Sequence, residues 1–299
     1  ANSPQLVFAL HWIASEQVPA AAMGTFAKRL GQLSARSLES ESRNILRTSG
    51  ANKIPGSLAL ALDGTLKQGH DMRIFGLGTA ASMSSVPRYA RFTASMHAVY
   101  SSMEEELDRS VDASPAIRAV WQRHGATLRR AAALEADLAD VVSDVRAASS
   151  NTSPATQRYV EGIRDAGADD RAASGGGGRL LGHLYCRYFA DLFGGQMLAG
   201  PTRAALRLAR DTPRHYTFDL PAQGGRRAYI EEVYESLNEA GKLLPPKAFE
   251  ATVAEAMKAF EYNVGVYGEE PLYLDAVRGT VNICTGYVAG TLKNSAAKH

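Results

Sequence analysis

The sequence predicts an all-α protein, a single helical domain over residues 56–299 preceded by an N-terminal arm over residues 1–55. Two observations carry that reading. From about Gly56 onward apolar residues recur at three- and four-residue spacing, the period of a helix with one buried face. The only alternating stretch, His215 to Leu220, is too short and too isolated to build a sheet. A chain of 299 residues with 45% hydrophobic content fills a complete core, which excludes a disordered tail, a collagen or a disulfide-stapled miniature.

The arm comes first in the chain. Ala1 to Lys53 carries six basic residues against three acidic ones, with many Ser and Ala, so two origins stand: an ordinary extension, or the remnant of an organellar presequence. On the second, the expected location is an organelle, a mitochondrion or a plastid. Its apolar start, Leu6 to Ile13, is either a contact for another subunit or packed on its own domain. Phe92, Met96, Val99, Met103 and Leu107 then mark one helix, and Leu128, Leu134, Leu138, Val141 and Val145 a second in an Ala-rich run. A third begins at Pro246 and buries Phe249, Val253, Met257, Phe260, Val264 and Tyr267. Breakers separate such elements at Asp112–Pro115, Ser149–Pro154, Ser174–Gly178, Asp211–Pro213 and Gly224–Gly225.

Whole-chain chemistry excludes several roles. Lys and Arg number 33 against 31 Asp and Glu, so no strong field favours nucleic acid. No apolar run reaches the ~20 residues of a membrane-spanning helix. Cys186 and Cys284 are too few for a disulfide framework or a four-ligand metal site and read as buried free thiols. Gly175 to Gly178 lacks the Lys-Ser/Thr that completes a phosphate loop.

The informative element is Leu180 to Leu198. Gly194 and Gly195 interrupt a segment whose spacing otherwise demands helix, at about 1 kcal/mol each against alanine. Such a pair lets a neighbouring helix pack closely, ends or kinks the helix, or admits a flat group against bare backbone. Arg187 and Asp191, four apart, share a face and can pair, with the glycines on the next turn.

Tyr185 to Gln196 (YCRYFADLFGGQ) resembles the distal-helix signature of heme oxygenases, close to H-A-Y-T-R-Y-L-G-D-L-S-G-G-Q. Collinear stretches are similar too: Phe92 to Met96 leading to Tyr100 and Glu104–Glu106, Arg130 to Leu138, Ser153 to Tyr159, His215 to Phe218, and Lys258 to Asn263, together covering roughly residues 57 to 270. The resemblance implies a heme oxygenase-like helical domain with heme held between a histidine-bearing proximal helix and the glycine-rich distal one. It gives Asp191 the role of distal aspartate, Arg187 and Tyr100 as its network partners, Gly194 and Gly195 as the bare backbone facing the ligand, and Phe260 and Asn263 as pocket lining.

The chain departs from the family pattern at several of these positions. Ala190 replaces the first distal glycine and Phe193 a small serine, which narrows the distal side unless Phe193 turns away. A gapless register from the Tyr100 helix places Lys67 at the ligand histidine, and a protonated lysine has no lone pair for iron. A shift in the loop expected around Gly76 to Ser85 would bring in His70 as metal ligand instead. Glu231 and Glu235 stand where the family places cations for the heme carboxylates, and Leu60 and Gly64 where lysines belong on the proximal helix. The expectation is therefore a heme oxygenase-fold pseudoenzyme without cofactor, an accessory or structural component with protein partners. The alternatives are a divergent active heme oxygenase, which would use heme and electrons from a reductase or ferredoxin, and a cleft reused for another flat or apolar ligand.

Overall fold

The computed structural model describes residues 49–69, 71–220 and 224–296, with backbone alone at 67, 72 and 287–296. The helices are α1 (Leu58–Gly69), α2 (Met72–Ser82), α3 (Val86–Ser110), α4 (Pro115–Leu128), α5 (Ala131–Ala139), α6 (Val145–Ser150) and α7 (Pro154–Ala172), then α8 (Arg179–Leu184), α9 (Ala190–Phe193) and α10 (Ala199–Leu206), and finally α11 (Gly225–Leu243), α12 (Pro246–Tyr267) and α13 (Leu272–Ala296). No strand occurs among the described residues, and His215 to Leu220 runs as a loop.

Serine caps set the long helices. Ser85, Ser114 and Ser153 accept the amides of Arg88, Ile117 and Thr156, each with a proline in the first turn, where its missing N–H costs nothing. The α12 spacing read from the sequence runs from Pro246 as expected. Around one continuous core, α3 packs on α7, α8 on α12, α4 on α11 and α1 on both α11 and α12.

Two sequence expectations need correction. The Ala-rich run is not one helix from Leu128 to Val145: α4 ends at Leu128, α5 covers Ala131–Ala139 and α6 starts at Val145. Tertiary capping overrides propensity there. The Glu104 carboxylate takes the amides of Arg130 (2.6 Å) and Ala131 (3.0 Å), while the Arg130 guanidinium turns onto the carbonyls of Leu128 and Thr217. Likewise, most of Gly76 to Ser85 is helix rather than loop. Asp71 caps α2 through the amides of Arg73 and Ile74, and α2 packs so closely that a Cβ on Gly78 would lie 2.3 Å from the Tyr267 carbonyl oxygen. The loop expected there is confined to Met83–Ser85, between α2 and α3.

The segment from α8 to α10 is broken rather than continuous. A π turn covers Tyr185–Phe189 and α9 only four residues, after which Gly194 leaves helical geometry at φ −137° and a 3-10 turn runs Gly195–Leu198. The glycine pair thus serves as a kink. Of the expected arm, residues 49–55 are described, and Ala51–Lys53 form a 3-10 turn packed on α1 and α11.

Candidate functional site

Arg187 leaves the π turn and Asp191 leaves α9, both buried. Tyr100, on the inner face of α3, donates its phenolic hydrogen to Asp191 Oδ2. Arg187 Nη2 donates to the Tyr100 oxygen at 3.1 Å and Nη1 to Asn263 Oδ1 at 2.9 Å, and its guanidinium lies 3.7 Å from Asp191. Asn263 on α12 continues the chain, its amide donating to Tyr159 Oη at 3.1 Å and to the Ala259 carbonyl at 2.9 Å. Four sequence-selected residues, Tyr100, Arg187, Asp191 and Asn263, therefore meet in one hydrogen-bonded cluster. Burial raises the Tyr100 and Tyr159 phenols well above their ordinary range, so both stay protonated donors, and it pushes the neighbouring Cys186 thiol up to about 12.

The glycine positions fit this cluster closely. A Cβ on Gly195 would lie 3.2 Å from Asp191 Oδ1 and 3.5 Å from Tyr216, so a side chain there would press on the carboxylate. Gly194 is the kink itself. The two bulkier departures separate. Ala190 is exposed, whereas Phe193 is buried edge-on to Phe189 (5.5 Å between ring centroids) and tilted against Tyr234 of α11 (6.5 Å). Phe193 thus joins the aromatic packing toward α11. Phe260 is buried against α1, where a Cβ on Gly69 would come within 2.8 Å of its side chain.

A second cluster was not read from the sequence. Asp63 of α1 accepts hydrogen bonds from Tyr185 (2.5 Å), Tyr234 (2.7 Å) and the Asn52 amide (2.6 Å), tying α1, the π turn, α11 and the 49–53 segment together. The available signal was an acidic residue within the otherwise apolar run Leu58 to Leu62 and Leu66. Nearby, Glu231 accepts the amides of Gly50 (2.9 Å) and Ala51 (2.7 Å), and Asn238 bridges the Ala51 carbonyl and the Ala59 amide. Burial works against the Glu231 charge, but Ser49 and those two amides outweigh it and hold the carboxyl below its ordinary range. Glu235 is exposed, as are Leu60 and Gly64.

Three of the four described histidines are hydrogen-bonded to protein groups, and both ring nitrogens of the fourth, His183, are buried without a hydrogen-bond partner. His97 meets Ser149 Oγ at 3.0 Å, His124 meets Ser236 Oγ at 2.9 Å, His215 meets Asp137 at 2.7 Å, and His183 lies 3.4 Å from Glu255. His70 lies outside the described residues, as does the side chain of Lys67, whose backbone belongs to α1. No group of three or more His, Cys, Asp or Glu side chains converges as a metal site among the described residues.

Residues 79–269 match the model of the heme oxygenase family. The chain belongs to the heme oxygenase family. Among its relatives, heme oxygenase 2 of Mus musculus is 32% identical over 177 residues, 59% of this chain and 53% of that protein. Heme oxygenase 1 of Gallus gallus is 30% identical over 185 residues, 61% of this chain and 58% of that protein. The chain thus spans little more than half the length of these curated relatives. The fold resembles the heme- and NO-bound structure of heme oxygenase-2 from Synechocystis sp. PCC 6803, with a TM-score of 0.63 at 24% identity over 78% of this chain and 91% of that one. It also resembles heme-free heme oxygenase 2 from Chlamydomonas reinhardtii, with a TM-score of 0.61 at 19% identity over 72% and 98%. The matched region contains the whole Tyr100–Arg187–Asp191–Asn263 cluster, whereas Asp63 and residues 49–53 precede it.

Proposed function

We propose that this heme oxygenase-family chain keeps the fold and the distal hydrogen-bond cluster but does not hold heme, and that it acts as an accessory or structural component bound to other proteins in an organelle. One observation carries the reading: at the edge where the family resemblance calls for cations, Glu231 is committed to the Gly50 and Ala51 amides. An anion approaching that edge meets carboxylates in place of cations, and each exchange costs roughly 1–3 kcal/mol of binding in a partly buried site. Of the described histidines, His97, His124 and His215 are already hydrogen-bonded to protein groups. On this reading the Glu231 edge works against a doubly anionic heme. The organellar part of the reading draws on the six basic and three acidic residues of Ala1 to Lys53. Titration of the purified protein with hemin tests the first part: no Soret band and no saturable binding at micromolar concentration are expected, and tight 1:1 binding would overturn it. A fluorescent fusion in the source cell tests the second, with diffuse cytosolic signal as the contrary outcome.

A second reading is favoured by the assembled cluster of Tyr100, Arg187 and Asp191, since these residues match the family's distal network. On that reading the chain cleaves heme to biliverdin, carbon monoxide and iron with electrons from a reductase or ferredoxin. Bilin formation with a reductase, lost in both Asp191→Ala and His70→Ala, would establish it in place of the first.

A further inference from the structure

Three oxidisable side chains run in contact from the distal cluster toward the protein surface. The Tyr100 and Tyr188 rings meet edge-on with centroids 5.2 Å apart, and Tyr188 lies 6.1 Å from the Trp121 ring. Trp121 sits beneath the Arg129 guanidinium, 5.0 Å from its ring, at a place where the Arg129 and Asp108 side chains are 42% and 47% exposed. Edge-on packing of this kind is ordinary in a helical core. What packing alone does not require is that every labile hydrogen along the line rests on a carboxylate. Tyr100 donates to Asp191, Tyr188 donates to Glu104 Oε1 at 3.3 Å, and the Trp121 indole N–H donates to Asp108 Oδ1 at 2.7 Å. A phenol or indole that loses an electron becomes a strong acid, and in a low-dielectric interior it gives up that electron readily only where a base waits for the proton.

We propose that Trp121, Tyr188 and Tyr100 form a relay for single oxidising equivalents between the surface at Asp108 and the distal cluster at Asp191. Its co-reactant is a one-electron oxidant of the metal(III) polypyridyl or peroxyl-radical class meeting the surface. Trp121 gives one electron to that oxidant and its indole proton to Asp108. Tyr188 then reduces the Trp121 radical and passes its phenolic proton to Glu104, while Asp108 returns the indole proton. Tyr100 reduces the Tyr188 radical and passes its proton to Asp191, while Glu104 returns the Tyr188 proton. In the balance the oxidant has gained one electron, Tyr100 has lost one, Asp191 holds one proton, and the intermediate groups are as they began. Run in reverse, the relay brings electrons from an external reductant to an oxidised group in the cleft. It stands on the protein's own side chains whether or not heme binds.

The test is flash oxidation of the full chain by photogenerated ruthenium(III) tris-bipyridine, followed by transient absorption and electron paramagnetic resonance. A Trp12→Phe background leaves Trp121 as the sole indole. The expected result is a tryptophanyl radical that decays as a tyrosyl radical rises. Tyr188→Phe should lengthen the tryptophanyl lifetime roughly tenfold or more. Tyr100→Phe should leave that decay unchanged and strand the radical on Tyr188. Glu104→Gln, which keeps the Tyr188 ring, should slow the transfer and serves where Tyr188→Phe loses its helical circular dichroism. A tryptophanyl decay indifferent to both Tyr188→Phe and Glu104→Gln would overturn the relay, as would the absence of any tyrosyl signal.

Discussion

The distal cluster and the Asp63–Glu231 edge both place acids beside hydroxyls and amides, yet they differ in what balances the charge. Asp191 has the Arg187 cation 3.7 Å away on its own helical face, besides the Tyr100 hydroxyl. Asp63 is held by two phenols and an amide, and Glu231 by two main-chain amides. Neutral donors satisfy hydrogen-bonding capacity without cancelling charge. The first region sets a buried guanidinium against its carboxylate, whereas at the second Lys53 is the cation that acts on Glu231. A family match along the chain does not register that difference, because it follows helix positions rather than the sign of the potential at one edge.

Restoring cations at the edge should break the contrast most strongly. The double substitution Glu231→Lys and Glu235→Lys should strengthen hemin binding by roughly 2–6 kcal/mol if the edge controls it. Titration beside the parent protein gives the answer, and equal affinities would place the control elsewhere. Next in size, Asp191→Ala removes the carboxylate from a buried guanidinium and should cost about 3–5 kcal/mol in denaturant unfolding. Asp63→Ala leaves the Tyr185 and Tyr234 hydroxyls to find other acceptors and should cost about 3 kcal/mol. A cost for Asp63→Ala well above that for Asp191→Ala would reverse the ranking of the two regions. Tyr100→Phe, which deletes one donor, should cost about 1–2 kcal/mol.

Two buried groups outside both regions give a pH dependence of opposite sign. Burial, with help from Arg123, lowers the His124 pKa from 6.5 to about 4, so on acidification the unfolded chain takes that proton first. The His124 contribution is therefore present above about pH 6.5 and lost on falling toward 4. Asp170, which caps α8 through the amides of Arg179 and Leu180, is raised by burial from 3.8 to about 6. Its contribution is full below about 3.8 and lost as pH rises through 6. The two oppose each other between about pH 4 and 6, so urea midpoints of His124→Asn should fall with rising pH in that window more than those of the parent. Asp170→Asn should show the opposite trend, and parallel curves for all three proteins would refute both assignments.

Periodicity made the helical class, the α3 and α12 faces and most of the breakers legible, because each follows from spacing within one segment. Tyr100, Arg187, Asp191 and Asn263 were legible through the family resemblance, which covers most of the chain. The split at Arg129–Arg130 was not, since its cause is Glu104, a residue 26 positions away that replaces the helix's own hydrogen bonds. Nor was the Asp63 cluster, which joins residues from four separate segments and leaves no local mark beyond one acid in an apolar run. The expected loop at Gly76 to Ser85 failed because Asp71 caps a helix there and Gly78 lets it pack closely on Tyr267.

The wide turn at Tyr185–Phe189 constrains how this chain can change. One residue more or fewer there would rotate everything downstream by about 100° relative to the preceding turn. Asp191 would then swing off Tyr100, and Phe193 off Tyr234. Single-residue insertions should consequently be accepted at the exposed Ser174–Gly175 pair, where a Cβ on Gly175 meets nothing, and rejected within these five positions.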